Sequence, residues 1–493
     1  MSFSVRNSED FMKFVTSLIA VLPKPIQRRK VGRVTPCAAL VGNTRIGAHG
    51  VTRPTAVWIV LCVIGICFAV SENLFAQTHS TNVVQVTPAF VNALAEEALT
   101  NNPALKSAAA RVEAARANEK TVRTWEDPTV EFGVMAAERT MSADDGDLLY
   151  GIEQPLPLFG KPRAARNVAK AETKIEEANA DFQFQQLRKD IAQAAFKMAL
   201  AHRVLEVAQQ DFVWLETMLA VAERRYEFGD ATQFDVLRLQ NERSKRAEQL
   251  KTDEQFLGHE RVNLNRLLNR APNAAWPKLQ LPEVAASIVF SEELITVALR
   301  SEPKLKVFQQ QMAQADASAE VARRERYPNF SVGAEARNYS GNGEFREAMV
   351  ALKFNVPWGN RKKYDAAVQR EESKKHAVEF DAEDYKLAVR NEIHELIVKI
   401  DAARREALLY RDQILPRSET ASQSARAAWE NNTGMFRDVL EARRMLLDAQ
   451  LMSARAISEQ FQMLSELVLC CGLGDLEALE MFSQATENKT SKP

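Results

Sequence analysis

Glycine and proline are scarce in this 493-residue chain, at 18 each, which excludes a fold of many short elements joined by tight turns. Cysteine is scarcer. Of five, Cys37, Cys62 and Cys67 fall in the first 76 residues, leaving only Cys470 and Cys471. Two adjacent cysteines closing the apolar run Leu467-Val468-Leu469 give no disulfide framework and read as buried thiols. Histidine is sparse and scattered beyond residue 76 (His79, His202, His259, His376, His394), with no pair at zinc- or copper-ligand spacing. A nucleophile with its base and a Gly-rich phosphate loop are missing too, so no cofactor is expected and an enzyme is the least favoured class. Nor does charge of one sign dominate. The net formal charge is −1, and the residues beyond 76 carry 55 basic against 62 acidic side chains, so nucleic acid is not an expected partner.

Residues 56–70 form a fifteen-residue uncharged run after Arg53, followed by Leu74-Phe75-Ala76. It is short for a membrane helix, which needs about 20 residues. The pattern predicts an export signal cleaved after Ala76, with an uncleaved anchor as the alternative. The preceding 50 residues, with their own apolar run at 14–22 and the cluster Arg28-Arg29-Lys30, read as an over-called start, translation beginning near Val51.

From Arg163 to Phe228 there is neither Pro nor Gly. Within it Ile191, Ala194, Met198, Ala201, Leu205 and Ala208 step alternately by three and four, and the pattern runs on to Tyr226. That 3.5-residue repeat predicts a coiled-coil rod. About 65 unbroken residues at 1.5 Å each span roughly 100 Å.

The chain also repeats itself. Asn102-Pro103-Ala104-Leu105 returns as Glu302-Pro303-Lys304-Leu305, and Pro128, Gly133 and Pro157 return as Pro328, Gly333 and Pro357, each displaced by 200. Tyr226-Glu227 with Asp235-Val236-Leu237 returns as Trp429-Glu430 with Asp438-Val439-Leu440, displaced by 203. The expected organisation is a signal region at 1–76, a first repeat at 77–271, a linker at 272–290, a second repeat at 291–475 and a tail at 476–493. Each repeat should hold one helix marked by Pro103 or Pro303 and ending near Trp125 or Tyr327. A β-hairpin (128–156 or 328–356) and a long helical hairpin (161–268 or 360–471) follow. Pro416 should interrupt the second rod.

In the hairpins Val130, Phe132 and Val134 alternate with Thr129, Glu131 and Gly133, and Val350, Leu352 and Phe354 alternate with Met349, Ala351 and Lys353. Strands of about nine residues with one apolar face suit a membrane β-barrel wall. Four strands cannot close a barrel, and open edges in lipid leave backbone groups unpaired, so the subunits must associate or bury the hairpins. A cyclic trimer with twelve strands satisfies this; a soluble α+β protein with a small sheet is the alternative.

The doubled Ala-Leu-x-x-Asn-Pro-x-Leu opening (98–105), the Pro-led hairpins, Pro-Leu-Pro-Leu-Phe-Gly-Lys (155–161) and Tyr-x-x-Gly followed by Asp-Val-Leu (226–237) resemble the TolC family of outer-membrane efflux proteins. The likeness covers about residues 88–475. It implies a mainly α fold with a small membrane β-barrel portion: a homotrimer whose twelve-stranded barrel in outer-membrane lipid continues into an α-helical tunnel across the periplasm. It also implies docking on a periplasmic adaptor (membrane fusion protein) and an inner-membrane pump. The run 154–161 most resembles members paired with resistance-nodulation-division pumps for heavy-metal cations, so heavy metals or drugs are the expected cargo. A non-conducting coiled-coil structural protein of the cell envelope is the rival class.

In a conduit the helix turns are where gating belongs. Asp438 and Glu441 lie three apart, on one helix face, and a trimer would repeat each three times around its axis, a ring that draws cations. The resemblance places an acidic ring at 438–441. The family's basic tether at the position of Gly434 is missing, with Arg437 a substitute. By the same resemblance adaptor contact falls on Phe228, Gly229 and Asp230 and on Asn431, Asn432 and Thr433. Trp125, Phe159 and Trp358 at the strand ends are candidate interfacial anchors.

Overall fold

The computed structural model describes residues 83–122, 125–135, 147–339, 343–474 and 477–478. The expected export signal, the strand-connecting residues 142–146 and 340–342, and nearly all of the 476–493 tail lie outside them. The first repeat contains β1 (Val83–Gln85), α1 (Pro88–Asn101), α2 (Pro103–Thr121), β2 (Thr129–Met135), β3 (Asp147–Leu156), α3 (Lys161–Glu227) and α4 (Gln233–Leu267). After β4 (Lys278–Gln280) the second repeat supplies α5 (Glu292–Ser301), α6 (Pro303–Arg324), β5 (Phe330–Tyr339), β6 (Phe345–Phe354), α7 (Arg361–Leu409), α8 (Leu415–Glu430) and α9 (Phe436–Cys470). No described helix is long and apolar enough to cross a membrane.

The single helix expected at the head of each repeat is two. Proline disfavours the α conformation in the residue before it, and Asn102 and Glu302 both stand at ψ 125°. Each then caps the helix that follows. The Asn102 side-chain oxygen accepts from Ala104 N–H at 2.8 Å while its amide donates to the Leu267 carbonyl at 2.7 Å. Glu302, buried, accepts from Leu305 N–H at 2.6 Å and from the Tyr385 hydroxyl at 3.0 Å. Burial raises the Glu302 pKa despite these donors, and burial together with Glu302 raises that of Tyr385.

α3 runs unbroken for 67 residues. Its expected seam is buried at Ile191, Ala194, Met198, Ala201, Ala208, Leu215 and Ala222 and half-buried at Leu205, Phe212 and Leu219, while Tyr226 at the end is exposed. The second rod is interrupted as expected, by a π turn at Tyr410–Ile414 where the Leu415 N–H reaches back to the Tyr410 carbonyl. Pro416 in the first turn of α8 has no N–H to offer Asp412, and the wider turn absorbs the lost bond.

The segment 272–290, expected as a linker, is packed structure. β4 pairs in parallel with β1, Val84 opposite Leu279. Leu279 is buried, and the Trp276 indole donates to Asn265 at 2.6 Å. Ile191, Phe196, Leu264, Leu294, Ile393 and Leu467 join Leu279 in one apolar core shared by both repeats. Cys470 and Cys471 belong to it as free, buried thiols, and burial pushes the Cys471 thiol up to about 12. A Cβ on Gly472 would stand 2.2 Å from the Ser301 carbonyl oxygen, and its φ is +59°, so this close approach needs glycine.

The described residues divide into two compact units. One consists of the hairpin portions flanking the strand connections, 132–150 and 335–350; the other holds the helices, β1, β4 and the remaining parts of the hairpin strands. The hairpin strands are hydrogen-bonded in the order β2-β3-β5-β6.

Candidate functional site

On the sheet strands the alternation separates two chemistries. Val130, Phe132 and Val134 of β2, Leu148, Tyr150 and Ile152 of β3, and Val350, Leu352 and Phe354 of β6 are all exposed. Charged groups on these strands pair with one another. Glu153 accepts from the Ser331 hydroxyl at 2.6 Å and from Lys353 at 2.5 Å, joining β3, β5 and β6. Within the smaller unit Arg346 holds the buried Asp147 carboxylate with contacts of 2.7 and 2.8 Å, and Arg337 lies 3.0 Å from Glu335 and 3.6 Å from Glu347. Exposed apolar side chains backed by satisfied charges are the opposite of a soluble sheet, which hides the former.

The Pro-Leu-Pro-Leu-Phe-Gly-Lys run fastens one repeat to the other. Phe159, at φ +58°, stacks on Tyr327 with ring centroids 5.2 Å apart, and its carbonyl accepts from Arg324 at 2.7 Å. Lys161 donates to the Tyr327 carbonyl at 2.7 Å and to Asn329 at 2.6 Å. Trp125 and Trp358, the other two candidate anchors, are exposed.

The two helical turns share a core of Leu215, Met218, Leu239, Trp429, Phe436 and Val439. In the first turn Gly229 adopts φ +81°, and Thr232 and Asp235 form a reciprocal capping box at the start of α4. The second turn diverges. Met435 stands where the repeat would place a hydroxyl and makes no side-chain cap, so Asp438, the counterpart of Asp235, is released from capping duty. Asp438 and Glu441 are exposed on one face of α9 while Val439 and Leu440 between them are buried. Arg437 points into solvent with its Nε 3.7 Å from Asp438. The six adaptor-contact candidates are exposed, Phe228 at 82%.

The missing tether at Gly434 has a steric cause. A Cβ there would meet the Ala428 Cβ at 2.9 Å, so the turn has no room for a basic side chain. A guanidinium reaches this turn from the other one. Arg225, near the end of α3, donates to the Trp429 carbonyl at 2.7 Å and to the Asn432 side-chain oxygen, and stacks over the Trp429 ring 4.5 Å from its centroid. Fourteen residues earlier on α3 lies a charge cluster. The Asp211 carboxylate of α3, 3% exposed, is held by Arg246 of α4 at 2.8 Å and by Arg443 of α9 at 2.9 Å. Arg444 extends the link to Glu242 at 2.7 Å.

Sequence reasoning missed Arg225 and Asp211, yet their signal was present: Asp211, Met218 and Arg225 recur every seven residues, a second stripe beside the apolar seam. Among the described residues no group of three His, Cys, Asp or Glu is placed to hold a metal.

The sequence matches the family described as outer membrane efflux protein over residues 94–270 and 294–473. The pyoverdine export outer membrane protein OpmQ of Pseudomonas putida is 24% identical over 402 residues, 75% of this chain and 83% of that one. Among solved structures, the outer-membrane channel OprN aligns with a TM-score of 0.68 at 19% identity, covering 78% of this chain and 90% of that one. CusC aligns with a TM-score of 0.69 at 16% identity, covering 79% and 93%.

Proposed function

Because the chain belongs to the outer membrane efflux protein family, and is therefore an efflux channel and not an enzyme, we propose that it forms the exit duct of a tripartite pump. In this reading three copies close a twelve-stranded barrel through the outer membrane, and their helical hairpins form a periplasmic tunnel. A periplasmic adaptor and an inner-membrane pump of the resistance-nodulation-division type engage the two turns. The supporting observation is the four-stranded sheet, on which Val130, Phe132, Val134, Val350, Leu352 and Phe354 stand exposed while Glu153 pairs with Lys353 and Asp147 with Arg346. A wall of that kind separates lipid from a wet lumen, and its four strands need partners from sister subunits.

The gate follows from the second turn. Asp438 and Glu441 face outward from a buried core and would give a trimer a ring of carboxylates at the tunnel end. In planar bilayers the purified protein is expected to give discrete, cation-preferring channels. The double variant Asp438→Asn with Glu441→Gln should conduct with that preference lost. Unchanged ion selectivity removes the pair from the pore; absence of any conductance removes the duct.

Cargo is the finer reading. The exit run 154–161 supports heavy-metal cations, whereas the description of OpmQ supports pyoverdine. The metal reading expects a deletion strain to be hypersensitive to heavy-metal salts; normal growth on those salts with pyoverdine retained inside the cell reverses the choice.

A further inference from the structure

Both long helices that follow the hairpins start with the wrong charge. A helix N-terminus carries partial positive charge, favours Asp or Glu and disfavours cations. The first turn of α7 nevertheless holds Arg361, Lys362 and Lys363, all exposed, with no acidic residue, and its N-cap Asn360 makes no side-chain hydrogen bond. α3 repeats the feature: no acid in its first turn, no side-chain cap from Gly160, and Arg163 exposed beside Lys161, which is engaged elsewhere. Of the other helices, α1, α2, α4, α5 and α6 are capped by Thr87, Asn102, Thr232, Ser291 and Glu302, and α8 and α9 have no side-chain cap. The acid nearest the α7 cluster is shared with another arginine. Asp365 is held by Arg326 at 2.7 Å and stands 3.9 Å from Arg361.

What precedes these cations is apolar and exposed. Leu352, Phe354, Val356 and Trp358 lead into Arg361, so the cationic turn continues the wall already assigned to lipid. We propose that this collar docks anionic phospholipid headgroups of the leaflet bordering the strand-to-helix junctions. Trp358 lies at the level where indoles settle between acyl chains and water. The three cations bind the headgroup phosphate. The inference rests on the membrane-wall reading of the hairpins.

The test uses the full chain in phosphatidylcholine vesicles containing either brominated phosphatidylglycerol or brominated phosphatidylcholine, reading quenching of the tryptophans. Wild-type protein should be quenched more by the anionic lipid, with local enrichment falling about fivefold for each cation removed. The variant R361Q/K362Q/K363Q should show equal quenching by the two lipids, while the charge-preserving variant R361K/K362R/K363R keeps the preference. Equal quenching of the wild type, or a preference surviving the glutamine variant, overturns the proposal. Failure of the wild type to enter vesicles at all overturns the wall itself, and the collar with it.

Discussion

Phe132→Arg is expected to empty the outer membrane of this protein. Phe132 is 84% exposed and shares its side of β2 with Val130 and Val134, which in the proposed assembly is the side that meets lipid. An arginine on the lipid face of a membrane strand costs about 2–4 kcal/mol near the bilayer midplane, and a trimer would bear that cost three times. The neighbouring Glu131 provides the control, because side chains one residue apart on a strand point to opposite faces. Glu131→Arg keeps a charge on the polar face and should leave assembly intact. The measurement is the amount of heat-sensitive oligomer extracted by detergent from the outer-membrane fraction. Loss with Phe132→Arg and retention with Glu131→Arg is the expected pair; normal assembly of both variants would mean that the hairpins do not face lipid.

Much of this fold was legible because its rules are local. The absence of Pro and Gly after Arg163 marks α3, and the two-residue period marks all four hairpin strands. The break before Pro103 and Pro303 was readable in principle. Helical periodicity continues on both sides of each proline and hid the one residue, Asn102 or Glu302, that leaves the α region. β1 and β4 gave no such signal. Three residues are too few to show alternation, and their pairing joins segments nearly 200 positions apart. At the turns, the exposed acids were visible from spacing alone, since Val439 and Leu440 between them fix which face is buried. The latch was not. Arg225 reaches the second turn from the first, and Gly434 leaves no room there for a basic side chain, a fact of packing against Ala428 that no spacing reveals. Asp211 was passed over because a carboxylate inside a coiled-coil stripe reads as solvated until its two arginines arrive from α4 and α9.

Asp211→Ala is the second large effect expected. It would leave Arg443, 16% exposed, and Arg246, 28% exposed, facing each other without a counter-charge. Removing one partner of a buried ionic cluster costs about 3–5 kcal/mol, far more than loss of a surface pair. Replacing all three residues by Leu or Met of matching bulk should recover most of that loss, because the desolvation of three charges disappears together with their attraction. Arg225→Ala, whose guanidinium lies near the surface over Trp429, should cost no more than about 2 kcal/mol. Thermal melting followed by helical circular dichroism separates these cases. Function should follow the same ranking. Asp211 ties α3 and α4 to α9 at Arg443, two residues beyond Glu441, so it holds the helix that presents the acids. Freed of it, α9 should rest less firmly against the first repeat, and the Asp211→Ala channel should open spontaneously in bilayers more often than wild type or Arg225→Ala. An Asp211→Ala protein that melts with the wild type and stays equally closed would show that the cluster neither stabilises the helices nor bears on opening.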